Sequence, residues 1–323
     1  MYWLAGLLLT LFSQVLAAES IVFIADLNGR YGSAAYAPRV DKAIQVITGL
    51  RPELVISAGD MVAGQKQPQL DSDRLDAMWR AFNDTVADPL LEAGIPLAVT
   101  VGNHDGSAFP GFALERERFQ AQWQSRVPEL DILPGSEWPR RYAARMGTVL
   151  LLAFDGTRPG KLPGAELRFI ERMLQQYGTE ASAILAFSHL PMWPLTRGRE
   201  QEILDDPDLL ALLHGYGVDV YASGHHHAFF AGADEAGMVH IGVGALGGNA
   251  RAFSTTGVRQ PFSFAVLTVE GGQVSVAARS APDFSETVPL ALLPEFLAGP
   301  LGTLQRLDGP VRLRSRGLPD DER

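Results

Sequence analysis

The 323-residue sequence predicts a layered α/β domain in which mixed sheets are flanked by helices. Three observations lead to this prediction. Short apolar runs of strand length alternate with segments of helical period from residue 21 to residue 223. Beyond Phe229 strand patterns follow one another without helical segments between them, which favours antiparallel pairing. Hydrophobic residues make up 46% of the chain, which is enough to bury a sizeable core.

The first 18 residues have the pattern of a secretory signal peptide. An apolar run from Leu4 to Phe12 is followed by a small-residue ending at Ala17 and Ala18. The alternative is an N-terminal membrane anchor, but this run is short for a span of about 20 residues. We therefore expect a leader over 1–18, a single domain over 19–308, and a periplasmic or secreted mature chain without a membrane span.

Six apolar runs between the leader and residue 223 predict buried strands. They lie at 21–25, 54–58, 96–101, 148–154, 183–188 and 218–223. The segments that alternate with them predict helices at 38–50, 71–91, 165–178 and 205–217. The last helix has Asp206 as its N-cap, Pro207 in its first turn and Gly215 as its C-terminal stop.

The C-terminal part of the chain predicts further strands at 238–246, 263–269 and 273–279. Residues 270–272 contain two glycines and join the last two strands as a hairpin. From Gly309 onward the sequence is polar and charged, so we expect a loosely ordered tail over 309–323.

Charge and cysteine content limit the possible functions. Aspartate and glutamate number 37 against 27 lysines and arginines, and the net charge of -10 argues against extended nucleic-acid binding. A small phosphate compound can still bind, because bound divalent cations outweigh the charge of the protein locally. The chain has no cysteine, which excludes disulfides, thiolate metal ligands and a cysteine nucleophile.

Polar residues follow five of the predicted strands at the point where each strand ends. These residues are Asp26, then Gly59 with Asp60, then 102–105, and later His189 and His225. The carboxyl ends of strands line the ligand crevice in sheets of this kind, so we expect these side chains to converge.

The candidate ligands are carboxylates, an amide and imidazoles. They are Asp26, Asp60, Asn103, His189, His225 and His227. This set suits Mn, Fe or Zn better than Mg. Six or more ligands exceed what one catalytic ion with an open position needs, so we predict two divalent metal ions. Such a pair can activate a water and stabilise both the attacking and leaving oxygens of a phosphoryl transfer.

The motifs resemble, in order, those of the calcineurin-like metallophosphoesterase family. The family pattern is an aspartate motif, GD, GNH followed by an acid, a lone histidine, and GHxH. Here it spans Asp26 to His227, roughly two thirds of the chain. The resemblance implies a layered β-sandwich of mixed sheets flanked by helices. It also implies a hydrolase that acts on a small phosphate monoester or diester.

The resemblance also implies a role for each site residue. One metal ion would be held by Asp26, Asp60 and His227, and the other by Asp60, Asn103, His189 and His225. His104 would face the substrate and either protonate the leaving oxygen or stabilise the transition state, with Asp105 orienting its ring.

One position departs from the family pattern. The first motif usually has a histidine where this chain has Asn28. Either Asn28 is a weaker ligand to the first metal ion or it supports Asp26 without binding metal. The departure leaves a second reading open, a catalytically degenerate metal- or ligand-binding protein of the same fold. The presence of His104, His225 and His227 favours the enzyme.

The remaining polar and aromatic residues near these motifs are given lesser roles. If the backbone of 225–227 is extended, His225 and His227 project to one side, and His226 is structural or on the surface. His214 and His240 are expected to serve the structure, and Asp155 with Gly156 a simple turn. A plain loop is favoured for 244–252 over a phosphate cradle with Arg251. Arg30 and Tyr31 are weak candidates for substrate contact, and Met192 with Trp193 lines either the pocket or the core.

Overall fold

A computed structural model of the chain describes residues 19–270 and 272–313. The predicted leader, most of the predicted tail and Gly271 of the predicted hairpin lie outside the described residues. Among the described helices, none combines the length and the apolar composition that a membrane crossing requires.

The strands within the described residues, in chain order, are β1 (Glu19–Ile24), β2 (Leu54–Ser57), β3 (Leu97–Val99), β4 (Asp131–Ile132), β5 (Tyr142–Met146), β6 (Val149–Ala153), β7 (Ala183–Phe187), β8 (Val220–Ser223), β9 (Phe230–Ala233), β10 (Val239–Gly242), β11 (Ser263–Glu270), β12 (Gln273–Ser280), β13 (Glu286–Thr287), β14 (Phe296–Gly299), β15 (Gly302–Arg306) and β16 (Val311–Arg312). The α-helices are α1 (Pro38–Leu50), α2 (Ser72–Phe82), α3 (Asp88–Glu92), α4 (Asn103–Gly106), α5 (Ala113–Gln124), α6 (Gly164–Tyr177) and α7 (Pro207–Gly215).

These strands form two mixed sheets. The first has the order β13-β12-β11-β1-β2-β3, with β16 paired to β12. Its strands β1, β2 and β3 are parallel, and β11 runs antiparallel to β1. The second has the order β14-β15-β9-β10-β8-β7-β6-β5-β4, in which β6, β7, β8 and β10 are parallel. The predicted α/β class with mixed sheets is confirmed.

Alternate residues of the central strand β1 enter two different apolar layers. Ile21 and Phe23 pack into one core with residues of the second sheet. Val22 and Ile24 pack into the other core with residues of α1 and α2. This alternation follows from the period of two in a strand. The first sheet is therefore covered by the second sheet on one face and by helices on the other.

The predicted helices are found, with two differences in detail. The helix predicted over 71–91 is divided into α2, a π-helical stretch over Asn83–Ala87, and α3. Pro89 in the first turn of α3 has no N–H for the preceding turn, so the regular α-helical bonding cannot continue through it. In α7 the side chain of Asp206 accepts from the backbone of the first turn, and Gly217, not Gly215, has the positive φ of 69° that follows the helix.

Several described elements lie outside the predicted set. They are helices α4 and α5 and strands β4, β5, β9, β13, β14, β15 and β16. Helix α5 was not predicted because its sequence is mostly polar, and among its apolar side chains Phe119 and Trp123 are the buried ones. Strand β16 lies within the predicted tail and extends the first sheet, with Val311 opposite Val274. Val311 and Leu313 pack against the apolar core, and these contacts favour order at the start of this segment.

Candidate metal centre

The parallel strands of both sheets deliver polar side chains to one place. Asp26 follows β1, Asp60 lies just beyond β2, and Asn103 begins α4 after β3. His189 follows β7 and His225 lies just beyond β8. The two sheets meet at this end, where the Nδ1 of His189, after β7, lies 2.8 Å from the carbonyl oxygen of Ala58, after β2. The predicted convergence of these residues is found.

Three of these side chains form a group that can hold a metal ion. Ligand atoms of Asp60, His189 and His225 all lie within 4.8 Å of one another, and all three residues are buried. Asn103 Oδ1 lies 2.9 Å from His189 Nε2, and Asp60 Oδ1 lies 3.4 Å from the same nitrogen. A carboxylate, an amide oxygen and two imidazoles therefore surround one point.

Hydrogen bonds to other parts of the chain fix which ring nitrogens carry a lone pair toward this point. The carbonyl of Ala58 can only accept, so His189 donates through Nδ1 and its Nε2 is the nitrogen left to bind. His225 donates through Nε2 to Glu202 at 2.7 Å, which leaves its Nδ1 facing His189 Nε2 at 3.2 Å. Asn103 donates through its amide to Gln65 Oε1 at 2.7 Å, so its oxygen faces the centre.

The same pattern recurs on the other side of the centre. His227 donates through Nδ1 to Asn249 O at 2.8 Å, so its Nε2 lone pair faces Asp26 Oδ1 at 3.1 Å. Among the described residues, none donates a hydrogen bond to this buried carboxylate oxygen. Acceptor atoms facing one another repel unless a positive charge lies among them. The donor set therefore fits divalent cations.

The pKa values of the central pair reflect this need for positive charge. Burial favours the neutral form of Asp60, but His189 and His104 beside it hold its pKa below the usual range. Burial would lower the pKa of His189, but the Asp60 carboxylate outweighs burial and raises that pKa to about 9. Without metal, a proton on His189 supplies the charge. A metal ion that takes its place must displace the proton.

Strained backbone holds several of the candidate ligands. Asp26, Asp60, His225 and His227 have φ between 53° and 63°, in the left-handed region that non-glycine residues rarely occupy. Each such residue costs on the order of 1–3 kcal/mol, a cost that is typical of functional sites. The extended backbone considered for 225–227 is wrong, and left-handed turns bring both rings to the centre.

His226 lies buried between these two ligands and serves the structure. Its Nδ1 accepts from the Leu195 N–H at 3.0 Å, and its Nε2 donates to Glu202 O at 3.1 Å. It is not on the surface. His214 and His240 likewise contact Asp234, at 2.7 and 3.0 Å, away from the centre.

The expected pairing of Asp105 with the His104 ring is wrong. The carboxylate of Asp105 accepts backbone N–H bonds from Asp60, Val62 and Gly102 at 2.8–2.9 Å. The turn of α4 directs this side chain back toward the strand ends. Burial, reinforced by Asp60, raises the pKa of Asp105 to about 7. Asp105 therefore shapes the loops that carry the ligands.

The ring of His104 lies at the edge of the centre. Its Nδ1 donates to Gly64 O at 3.0 Å, so the Gly64 carbonyl orients the imidazole. Its Nε2 lies 3.8 Å from Asp60 Oδ2, and the side chain is 18% exposed. Of the four imidazoles at the centre, that of His104 is the most exposed to solvent.

A cleft of about 1140 Å³ opens over these residues. Asn28 lines it and is 6% exposed, while its backbone N–H donates to Asp60 O at 3.2 Å. Arg30 and Tyr31 also line it, so their predicted proximity to the site is found.

The glycine-rich segment over 244–252, for which a plain loop was favoured, lines the cleft as well. Gly247, Gly248 and Arg251 belong to its wall, and Arg251 donates to His225 O at 2.7 Å. Met192 and Trp193 instead lie in the core, each 1% exposed. Asp155 is not a plain turn residue, because it pairs with Arg116.

Sequence reasoning missed several residues around the ligands. Glu202 accepts from His225 and is paired with Arg199, and Gln65 holds the amide of Asn103. Glu202 lies in a segment with several acids, and no local pattern distinguishes it from Glu200 or Asp205. These partners become visible only when the loops are placed.

Residues 20–229 match the family model of the calcineurin-like phosphoesterases. The chain belongs to the calcineurin-like phosphoesterase family. The resemblance stated from the motifs is confirmed, and membership of this phosphoesterase family supports the predicted hydrolase class. No curated protein sequence matches the chain.

Solved structures of similar fold include two phosphatases. A purple acid phosphatase from seeds of yellow lupin (Lupinus luteus) has 16% identity and a TM-score of 0.62, over 82% of this chain and 52% of that one. The chain thus spans about half the length of the lupin protein. A dimetal phosphatase from Danio rerio has 17% identity and a TM-score of 0.56, over 84% and 98% of the two chains. GAP50, the anchor in the inner membrane complex of Plasmodium, has 14% identity and a TM-score of 0.52, over 84% and 88%.

Proposed function

We propose that this calcineurin-like phosphoesterase hydrolyses a small phosphate monoester or diester with the help of two divalent metal ions, outside the cytoplasm. The observation that carries the proposal is the set of lone pairs that converge at the strand ends. Asp26, Asp60 and His227 would hold one ion, and Asp60, Asn103, His189 and His225 the other. The mixture of oxygen and imidazole ligands favours Mn, Fe or Zn over Mg.

The bound ions would supply positive charge to the phosphate oxygens and make a water acidic enough to attack phosphorus near neutral pH. His104 is placed to move the other proton of the reaction. Its Nδ1–H is occupied by Gly64, so Nε2 is the atom that reaches the cleft. In hydrolysis the bond from phosphorus to the ester oxygen breaks. The imidazolium form of His104, which carries a proton on Nε2 as well as on Nδ1, gives the Nε2 proton to the leaving oxygen and becomes neutral.

Arginines on the cleft wall provide charge for the phosphate. Arg199 and Arg251 line the cleft on the side of His225. Arg251 is held by its bond to the His225 carbonyl, so its guanidinium is oriented before substrate enters. A guanidinium presents paired N–H donors that match phosphate oxygens.

A second candidate function is a binding protein without turnover. Asn28 in place of histidine favours it, and one structural neighbour of this fold, GAP50, is named as an anchor. The intact and partly exposed His104 favours the enzyme, because a protein without turnover has no use for a proton donor at the cleft.

Metal analysis combined with phosphate-ester assays tests the proposal. The mature chain is treated with a chelator, reloaded with Mn, Fe, Zn or Mg, and assayed with an aryl phosphate and an aryl phosphodiester. His104→Ala should lower turnover by about 10²–10⁴-fold and retain its metal. Asp60→Asn should deplete both ions. If no metal restores hydrolysis of either ester, the binding protein is the better conclusion.

A further inference from the structure

The cleft is larger than a phosphate group requires. Its volume of about 1140 Å³ exceeds even the roughly 300–1,000 Å³ typical of pockets for drug-sized ligands. The metal centre occupies the floor of this cleft, so the remaining walls face the organic part of a substrate. The side chains of those walls therefore select among phosphate esters.

Two exposed aromatic rings stand on these walls. Among the described residues, Tyr31 is 55% exposed and Phe109 is 43% exposed, and both line the cleft. The other exposed large hydrophobic residues do not line it; they are Leu50, Leu91, Val127, Leu290 and Phe296. Ligand pockets are lined mainly by hydrophobic and aromatic side chains, which makes exposed rings on a cleft wall candidates for contact with a ligand.

The position of Tyr31 relates these rings to the reacting atoms. Its ring centroid lies 5.1 Å from that of His104, with the planes inclined by 36°. His104 Nε2 in turn lies 3.8 Å from Asp60 Oδ2. An ester whose phosphate lies over the carboxylates and whose leaving oxygen lies at His104 has the ring of Tyr31 within reach of its organic group.

Phe109 has a cationic neighbour. The guanidinium carbon of Arg158 lies 5.7 Å from the centroid of the Phe109 ring, which restricts that side chain without covering its exposed area. Aromatic pairs in offset or edge-to-face contact contribute free energy beyond that of the apolar area they bury. Both side chains thus favour the same ligand chemistry.

We infer that Tyr31 and Phe109 form a subsite for an aromatic ring carried by the leaving group of the phosphate ester. This inference rests on the proposed function for the position of the phosphate. The subsite makes the aryl-bearing ester the preferred substrate class, since a contact of each ring with the ligand adds affinity that a saturated analogue of equal size lacks.

A pair of substrates with matched leaving groups tests this inference. We would compare 2-phenylethyl phosphate with 2-cyclohexylethyl phosphate, each as the monoester and as the methyl diester. Both release a primary alcohol of similar acidity, and the cyclohexyl group is the more hydrophobic. A cleft wall that is only hydrophobic would therefore favour the cyclohexyl ester, whereas an aromatic subsite favours the phenyl ester.

The expected result is a kcat/KM about 3- to 10-fold higher for the phenyl ester, from one or two aromatic contacts. Tyr31→Ala and Phe109→Ala should each reduce this preference, and the double variant should abolish it. Tyr31→Phe keeps the ring and should keep the preference. Phe296→Ala removes an equally exposed aromatic residue outside the cleft and should change nothing. A wild-type preference for the cyclohexyl ester, or one for phenyl that survives the double variant, would overturn the inference.

Binding of the corresponding non-hydrolysable phosphonates separates this inference from the proposed function. Calorimetry with the metal-loaded protein should show tighter binding of 2-phenylethylphosphonate than of its cyclohexyl analogue. If that preference appears while no ester is hydrolysed, the subsite stands and the proposed turnover fails. If the two phosphonates bind with equal affinity to a protein that does hydrolyse esters, the inferred subsite is refuted and the proposed function stands.

Discussion

Replacing Gly248 with alanine should damage one half of the metal centre while leaving the fold intact. A Cβ atom added at Gly248 would lie 2.6 Å from Cε1 and 3.0 Å from Nδ1 of the His227 ring. The first atoms it meets belong to a side chain, so the polypeptide backbone need not be rebuilt. The ring of His227 must give way instead.

The size of the effect follows from the contact distance. Ordinary van der Waals contact of a Cβ begins at 3.4 Å, so the ring must retreat by about 3.4 − 2.6 = 0.8 Å. His227 is not free to do so without cost, because its Nδ1 donates to Asn249 O at 2.8 Å. A misplacement of about 1 Å at a reacting centre costs about 10²-fold in rate. We expect turnover to fall by about 10- to 100-fold and the ion held by Asp26 and His227 to be lost or weakened.

Metal stoichiometry and turnover measured on the same samples check this expectation. Gly49→Ala is the matched control, because a Cβ at Gly49 in α1 meets nothing within 4 Å and alanine is favourable in a helix. Both variants should unfold at or near the wild-type temperature. A Gly248→Ala protein with two tightly bound ions and wild-type turnover would refute the reasoning, since it would mean that His227 is not needed where it lies.

Two further variants address the neighbours of the centre. Glu202→Gln keeps the shape of the partner of His225 but removes its charge. It should weaken metal binding by about 10- to 100-fold, measured in competition with a chromophoric chelator. The exposed Glu200→Gln is the control, and equal metal affinities of the two variants would contradict the role of Glu202. Burial raises the pKa of Glu115 to about 7 from its ordinary 4.5. Between pH 4.5 and pH 7 the folded state therefore holds a proton that the unfolded state releases. The free energy of unfolding falls as the pH rises through this range. Relative to wild type, Glu115→Gln should therefore gain on the order of 2 kcal/mol between pH 5 and pH 8 in urea unfolding of the metal-free protein, with the exposed Glu117→Gln as control; parallel pH curves for wild type and Glu115→Gln would exclude this titration.

The site residues whose positions could be predicted from the sequence are those that directly follow a predicted strand. Strands β1, β2 and β7 consist largely of apolar residues, and a polar residue soon after such a run lies at the rim of the sheet. Asp26 and His189 needed no knowledge of loops for this reason. The strand pattern predicts where these residues lie along the chain. Since ligand sites lie at the carboxyl ends of strands in such sheets, that pattern was sufficient to predict that the residues converge.

Roles that depend on loop conformation could not be predicted. The segment with Glu202 is placed by His226, whose ring bonds to Leu195 N–H and Glu202 O. These two contacts join residues 31 and 24 positions apart through no repeating pattern. Asp105 shows the complementary error: adjacency to His104 in sequence suggested contact between the two side chains, but one helical turn directs the carboxylate to Gly102 N–H instead.

The two halves of the metal centre are supported differently, and this bears on the departure at Asn28. His189 and His225 have their rings fixed by Ala58 O and by the charged Glu202, and Arg251 also holds the His225 carbonyl. His227 is supported by a neutral carbonyl, and the chain offers the neutral Asn28 where the family usually offers an imidazole. A charged partner raises the basicity of a ligand imidazole more than a neutral carbonyl does. We therefore expect the half with His225 to bind its ion more tightly, and the half with His227 to limit assembly of the proposed two-ion centre. Glu202→Gln and Gly248→Ala act on opposite halves, so their separate effects on bound metal distinguish this asymmetry from a general loosening of the site.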